Sequence, residues 1–262
     1  MQKIAPSWKE GRFVLRNYSL LASVLILAVF LSGCLNTLPP SSSPGLTPPG
    51  NQQKNSLTGL VQDANSGLAL WSGQVTLTNA HNGYNTSIRS GAFEFQDIAP
   101  GAYTLTIEKV FYRPLKKQVV ITGANTSVTE KMTPIFTVGE IDLFARLVHA
   151  EAKGEPYRGQ VAVASSVLNR VLHSDYPNTL SGIINQVVVS GGRRYYQYEP
   201  VLNGAIKAPA SQTAKDAVND ALVGWDPSLN ATGFFAPAKV GSSSWVWNRT
   251  PTVTIGNHRF FH

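Results

Sequence analysis

The spacing at which apolar residues recur changes once along this chain, just past residue 133, and that change limits the possible folds more than any other feature. Between residues 57 and 133 apolar and polar side chains alternate in short runs, at 57–62, 73–78, 92–95, 103–107 and 117–121. A period of two turns every second side chain to one face, which predicts strands half-buried against a core. Turn-forming stretches separate the runs: Asn65-Ser66-Gly67, residues 79–85 and 97–101, and Gly123-Ala124-Asn125. Dense short strands without a helical signal predict a small antiparallel β-sandwich over residues 57–133.

From Glu140 the period becomes helical. The stretch EIDLFARLVHAEAKGEPYRGQVAVASSVLNRV (140–171) places Ile141, Phe144, Leu147, Val148 and Ala152 on one face, and Gly154 with Pro156 ends that helix. A second helix follows at once, with Val161, Ala164, Val167, Leu168 and Val171 on one side. The two meet at a tight GEPYRG turn, and Glu151 lies in its crook. A carboxylate in the last turn faces the negative end of the helix dipole, and small apolar neighbours desolvate it. Both effects favour the protonated form, which a general acid requires at neutral pH. Glu151 is therefore the first catalytic candidate. Further on, 179–186 reads as a short helix capped by Thr179 or Asn178, and 208–223 as an alanine-rich helix ending at Gly224. Residues 191–201, 231–238 and 254–261 read as loops and short strands rich in aromatic side chains. Residues 134–262 are thus expected to form a mainly α domain of the α+β class.

A length of 262 residues accommodates two domains and address segments. The first 33 residues hold about three of the seven formal net positive charges. The remaining charge lacks the dense basic face of a nucleic-acid binder but suits an anionic polymer. Cys34 is the only cysteine, which excludes an intrachain disulfide framework and a cysteine metal site. It follows a basic stretch through Arg16 and an apolar run at 20–31, the pattern of a secretory signal over residues 1–33. Leu31-Ser32-Gly33-Cys34 resembles a bacterial lipobox. That resemblance implies cleavage before Cys34, acylation of its thiol, a membrane partner and an extracytoplasmic location in the cell envelope. Residues 34–56 are rich in Pro, Ser and Gly and predict a semi-extended tether.

Two further resemblances cover the rest. The order GLVQD, QVTLTN, SGAFEFQDIAPGAYTLTIEKVFY and KKQVVI resembles the carboxypeptidase regulatory-like domain, a transthyretin-like sandwich that usually serves as a spacer or adhesive module. The hairpin AEAKGEPYRGQVAVASSVLNRV, followed in order by TLSGIINQ, QYEPVLNG, ALVGWDPSLNATGFFAPAK and IGNHRFF, resembles the SleB/CwlJ type of cell wall hydrolase, known for lysing spore cortex. That likeness implies a lysozyme-like or transglycosylase-like domain acting on peptidoglycan glycan strands, with the acid/base glutamate at Glu151 and no cofactor. It also implies that Tyr196, Gln197, Tyr198, Glu199, Phe235 and His258 line the glycan groove. Three positions depart from the family pattern: Ala236 stands where asparagine is common, His149 where tyrosine is frequent, and Tyr198 where phenylalanine is usual.

Glycosidic hydrolysis ordinarily needs two carboxylates at a set separation. A lytic transglycosylase works with one, because the muramic acid 6-hydroxyl attacks internally and the same carboxyl serves as acid and then base. Glu155 lies four residues after Glu151, but Gly154 and Pro156 interrupt the helix between their faces. Glu199 is the better candidate for a second carboxylate. Tyr195, Tyr196, Tyr198, Trp245 and Trp247 are available either for stacking on sugars or for packing. His149, His173, His258 and His262 show no metal-ligand spacing. The leading reading is a lipid-anchored peptidoglycan lyase; the alternatives are a hydrolase cleaving the muramoyl amide bond and a non-catalytic wall-binding lipoprotein.

Overall fold

Seven strands occupy the first half of the described chain: β1 (Asn55–Asp63), β2 (Ser72–Thr78), β3 (Gly83–Arg89), β4 (Ala92–Ile98), β5 (Gly101–Glu108), β6 (Leu115–Ile121) and β7 (Thr126–Met132). The computed structural model describes residues 55–123 and 125–262, so the expected signal segment, Cys34 and almost all of the tether lie outside them. The strands join in the order β6-β5-β2-β3-β4-β1-β7. All pairs are antiparallel except β1 with β7.

This differs from the expected two-sheet antiparallel sandwich. One continuous ladder curls, barrel-like, until its two end strands approach: Lys117 of β6 donates to Glu130 of β7 at 2.8 Å. Alternation alone cannot distinguish the two arrangements, since both bury every second side chain. The buried set is Leu57, Val61, Val75, Leu77, Phe93, Phe95, Tyr103, Leu105 and Ile107 with their neighbours. Two strands escaped the sequence reading. β3 (GYNTSIR) and β7 (TSVTEKM) are polar and carry few apolar residues to reveal the period.

Gly59 shows how tightly the ladder is packed. It pairs with Phe93 across β1 and β4, and a Cβ added there would lie 2.1 Å from the Phe93 ring. Gly59→Ala is therefore expected to destabilise the fold by about 1–3 kcal/mol through overpacking, measurable as a lowered urea midpoint with an unchanged slope.

Five helices follow: α1 (Val138–Ala152), α2 (Tyr157–Leu172), α3 (Leu180–Ile184), α4 (Glu199–Asn203) and α5 (Gln212–Val223). α1 starts at a capping box, in which Thr137 Oγ1 accepts from Glu140 N–H and the Glu140 carboxylate accepts from Thr137 N–H. α2 is buried without a break from Gly159 to Leu168 and forms the axis of this half. Thr179 caps α3, and Ser211 caps α5, which ends at the left-handed Gly224 (φ 119°). A hairpin of β8 (Val187–Ser190) and β9 (Arg193–Tyr196) precedes α4. β10 (Gly233–Phe235), β11 (Pro251–Ile255) and β12 (His258–Phe261) form a second sheet in the order β10-β12-β11.

The described residues make one compact unit. Trp71 N–H to Val223 C=O (2.9 Å) joins the sheet to α5, while Arg113 N–H to Thr133 C=O (2.9 Å) and Ile135 N–H to Phe111 C=O (2.8 Å) hold the segment between β7 and α1 against the β5–β6 loop. Val223, the last residue of α5, is buried in the core of the sheet. Among the described residues no helix is long and apolar enough to cross a membrane.

Candidate active site

The helical hairpin places Glu151 in the last turn of α1, partly buried beside Ala152 and just before the Gly154–Pro156 break. Burial first, and then the facing Glu199 carboxylate, raise its pKa from the ordinary 4.5 to about 7. The cations of Arg170 and Lys239 act in the opposite direction. The carboxyl is thus divided between its acid and base forms near neutrality, a state from which one group can either give or take a proton.

Arg170 was not singled out from the sequence, yet it organises the site. It projects from the last turn of α2 between two aromatic rings, its guanidinium carbon 5.2 Å from the Tyr176 centroid and 5.3 Å from that of Tyr198. Its Nε donates to the Thr232 carbonyl. Arg170 Nη1 and the Tyr198 hydroxyl are both buried without a hydrogen-bond partner. The neighbouring Asn169 donates to Asp226 Oδ2 (3.1 Å) and to the Ala231 carbonyl (3.0 Å), fixing the 226–231 loop that leads into β10. The available signal was a polar Asn169-Arg170 pair in the last turn of α2, next to its buried apolar run.

The expected groove residues separate into groups. Tyr198 and Glu199 form the start of α4; Tyr198 is buried against Arg170, while Glu199 is exposed and acts on Glu151. His258 opens β12 with its ring 5.0 Å from Phe234, and its buried Nδ1 has no partner. Burial lowers its pKa, which keeps it uncharged at neutral pH. Phe235 is a packing residue, 5.0 Å from Trp247 and 6.1 Å from Phe261. Tyr196 ends β9 half-buried, and Gln197 is exposed, its N–H bonded to the Gln186 carbonyl at 3.1 Å.

Ala236 opens the 3-10 turn Pro237–Lys239, and the Lys239 ammonium acts on both Glu151 and His258. That cation had no place in the sequence reading. His149 ties α1 to the cap of α5, its Nδ1 accepting from Ser211 N–H at 3.3 Å.

Glu155 has a different task from Glu151. Its carboxylate accepts from Asn257 N–H (2.7 Å) and Asn257 Nδ2 (3.1 Å), pinning the β11–β12 turn to the helical hairpin. At Gly256 (φ 58°) an added Cβ would lie 2.1 Å from Glu155 Oε2. Gly256→Ala is expected to cost about 1–3 kcal/mol from strain and displacement of that carboxylate. Thermal melting would register the loss, and Glu155→Ala combined with it should cost less than the two single changes added.

Trp245 and Trp247 lie beyond β10, with Arg249 over the Trp245 ring at 5.2 Å and Arg259 over the Trp247 ring at 5.6 Å. Among the described residues no three His, Cys, Asp or Glu side chains gather as metal ligands. Two concavities, of about 440 and 710 Å³, open away from Glu151. The first is flanked by Asp63, whose Oδ1 already accepts from Asn65 N–H, Ser66 N–H and Ser66 Oγ–H. The second lies on the outer face of the sheet, along β1, β3 and β4.

Comparison with known proteins places similarity on the helical half. The family described as Cell Wall Hydrolase matches residues 154–261. The spore cortex-lytic enzyme of Bacillus cereus is 41% identical over 125 residues, covering 48% of this chain and 45% of that protein. The cell wall hydrolase CwlJ of Oceanobacillus iheyensis is 31% identical over 115 residues, covering 42% of this chain and 78% of that one. Among solved structures, the catalytic domain of the germination-specific lytic transglycosylase SleB from Bacillus anthracis is 39% identical, with 49% of this chain and 98% of that chain covered and a TM-score of 0.44. The chain spans about half the length of the spore cortex-lytic enzymes it matches. The family match begins three residues after Glu151 and includes none of the seven-stranded sheet.

Proposed function

Because the chain belongs to the cell wall hydrolase family, we propose that it is a peptidoglycan lytic transglycosylase cleaving the β-1,4 bond between N-acetylmuramic acid and N-acetylglucosamine. The observation that carries the reading is Glu151, a partly buried carboxyl at a helix end whose pKa stands near 7. As the acid it gives its proton to the glycosidic oxygen while the bond to muramic C1 breaks. The muramic 6-hydroxyl then bonds to C1, and its proton passes to the Glu151 carboxylate. A 1,6-anhydro end forms without net consumption of water, and the carboxyl is reset.

Arg170 holds the carboxylate form between the two proton transfers, since a cation beside it offsets the charge it acquires. Tyr198 and Glu199 border the groove at Glu151, uncharged His258 flanks it beside Lys239, and Phe235 supports its wall. Tyr196 and Gln197 extend the lining along β9. The spore cortex-lytic relatives make cortex peptidoglycan the first substrate to test.

Digestion of purified sacculi followed by mass spectrometry is the test. Anhydromuramic ends are expected. Ordinary reducing ends would replace the reading with a two-carboxylate hydrolase using Glu199, the second reading that its field on Glu151 favours. Free amino termini on stem peptides would indicate amide cleavage instead.

The remaining assignments complete the proposal: residues 1–33 as a signal, Cys34 as the lipidated residue, 34–56 as a tether, 57–133 as a carboxypeptidase regulatory-like module and 134–262 as the catalytic domain. They place the chain outside the cytoplasm on a lipid anchor. Cys34→Ser is expected to move it from the membrane fraction to the soluble one.

A further inference from the structure

We infer that the seven-stranded sheet is part of the substrate-binding surface: Trp71, Trp225 and Tyr157 form an aromatic strip, shared by the sheet and the helical half, that takes a peptidoglycan glycan strand beyond the catalytic groove. Trp71 comes from the segment leading into β2, and its ring stacks on Trp225, with centroids 6.0 Å apart and planes 19° from parallel. Trp225 continues to Tyr157, again with centroids 6.0 Å apart. The strip is held on both sides. Trp71 N–H is bonded to the Val223 carbonyl, and Tyr157 Oη donates to Asp220 Oδ2 at 2.5 Å.

Burial argues that this is more than a seam. Leu70 is fully buried, whereas Trp71 keeps 50% of its surface and Tyr157 38%, so two large rings stay open on an anchored backbone. Neither indole N–H of the pair has a hydrogen-bond partner among the described residues, which leaves both donors for sugar hydroxyls. The apolar face of a pyranose stacks on such a ring, and fixed rings present that face at little entropic cost.

Lys109 supplies a charge at the same place. A Cβ added at Gly224 would lie 3.3 Å from both Lys109 Nζ and Trp71 Cβ, so the amine and the base of the Trp71 side chain both border Gly224, and no carboxylate pairs with Lys109 among the described residues. Burial lowers its pKa to about 8, so it remains mostly cationic at neutral pH, suited to a stem-peptide carboxylate carried by the glycan. The strip also spans a part of the chain that the family match does not include, since Trp71 precedes residue 154.

This inference rests on peptidoglycan being the substrate. It is tested with the full chain carrying Glu151→Gln, so that binding is read without cleavage. Retention on purified sacculi is expected to fall about five- to tenfold for Trp71→Ala, with a smaller fall for Trp71→Phe, which keeps a ring against Trp225. Glycan strands stripped of stem peptides should change the tryptophan fluorescence of the parent, and much less that of Trp71→Phe. Thermal melting identifies a variant that fails to fold, and Trp71→Phe then decides. Equal retention of parent, Trp71→Ala and Trp71→Phe overturns the strip alone. A parent that sacculi do not retain overturns the strip together with the reading beneath it.

Discussion

Glu151→Gln is expected to lower the release of glycan fragments from sacculi by about a thousandfold, the range of effect of a general acid and base together. Glutamine preserves the shape and removes the proton, so the folded groove and its retention on sacculi should survive. Wild-type kcat/KM should be level in mild acid and fall as pH rises through about 7, because the first step requires protonated Glu151. Stability should follow the same group. The folded pKa lies above the unfolded one, so the protonated carboxyl's contribution is complete below about 4.5 and is lost as pH rises through about 7. Relative to Glu151→Gln, the wild type should therefore lose at most about 3 kcal/mol between those limits. Melting of both proteins at pH 4 and pH 8 checks this, and a pH-independent difference would remove Glu151 as the titrating group.

How much of this site the amino-acid order reveals depends on how local the cause is. The hairpin and its caps are written in adjacent residues. Apolar spacing gave α1 and α2, Gly154 and Pro156 gave the break, and Thr179 stands where the cap of α3 is found. Glu151's candidacy came from the same local facts, its position in a last turn among small apolar residues. What was not legible is set by distant partners. Glu155 reads like any turn carboxylate until the fold brings Asn257 to it across 102 residues. Lys239 becomes relevant only because the turn after β10 carries its charge toward Glu151 and His258. β7 lacks an apolar period because it is an end strand, and its parallel pairing with β1 follows from how the ladder curls.

Arg170 is the residue whose replacement should affect both stability and chemistry, in ways that two variants separate. Arg170→Met removes the charge, the bond to the Thr232 carbonyl and the contacts with the Tyr176 and Tyr198 rings. A charge-assisted hydrogen bond and two cation–π contacts together predict a loss of about 3–5 kcal/mol. Arg170→Lys keeps a charge but lacks the planar fork that stacks and donates at once, so a similar share of that stability should go. The pH profile distinguishes the two. Arg170 lowers the Glu151 pKa, so its loss in Arg170→Met should move the alkaline limb of kcat/KM to higher pH, while Arg170→Lys should leave it near the wild-type position. A packing role alone would lower the folded fraction in both variants and move the limb in neither. A limb that shifts in the methionine variant alone would instead show that the positive charge at position 170, and not the stacked guanidinium as such, sets the proton affinity of Glu151 from the neighbouring helix.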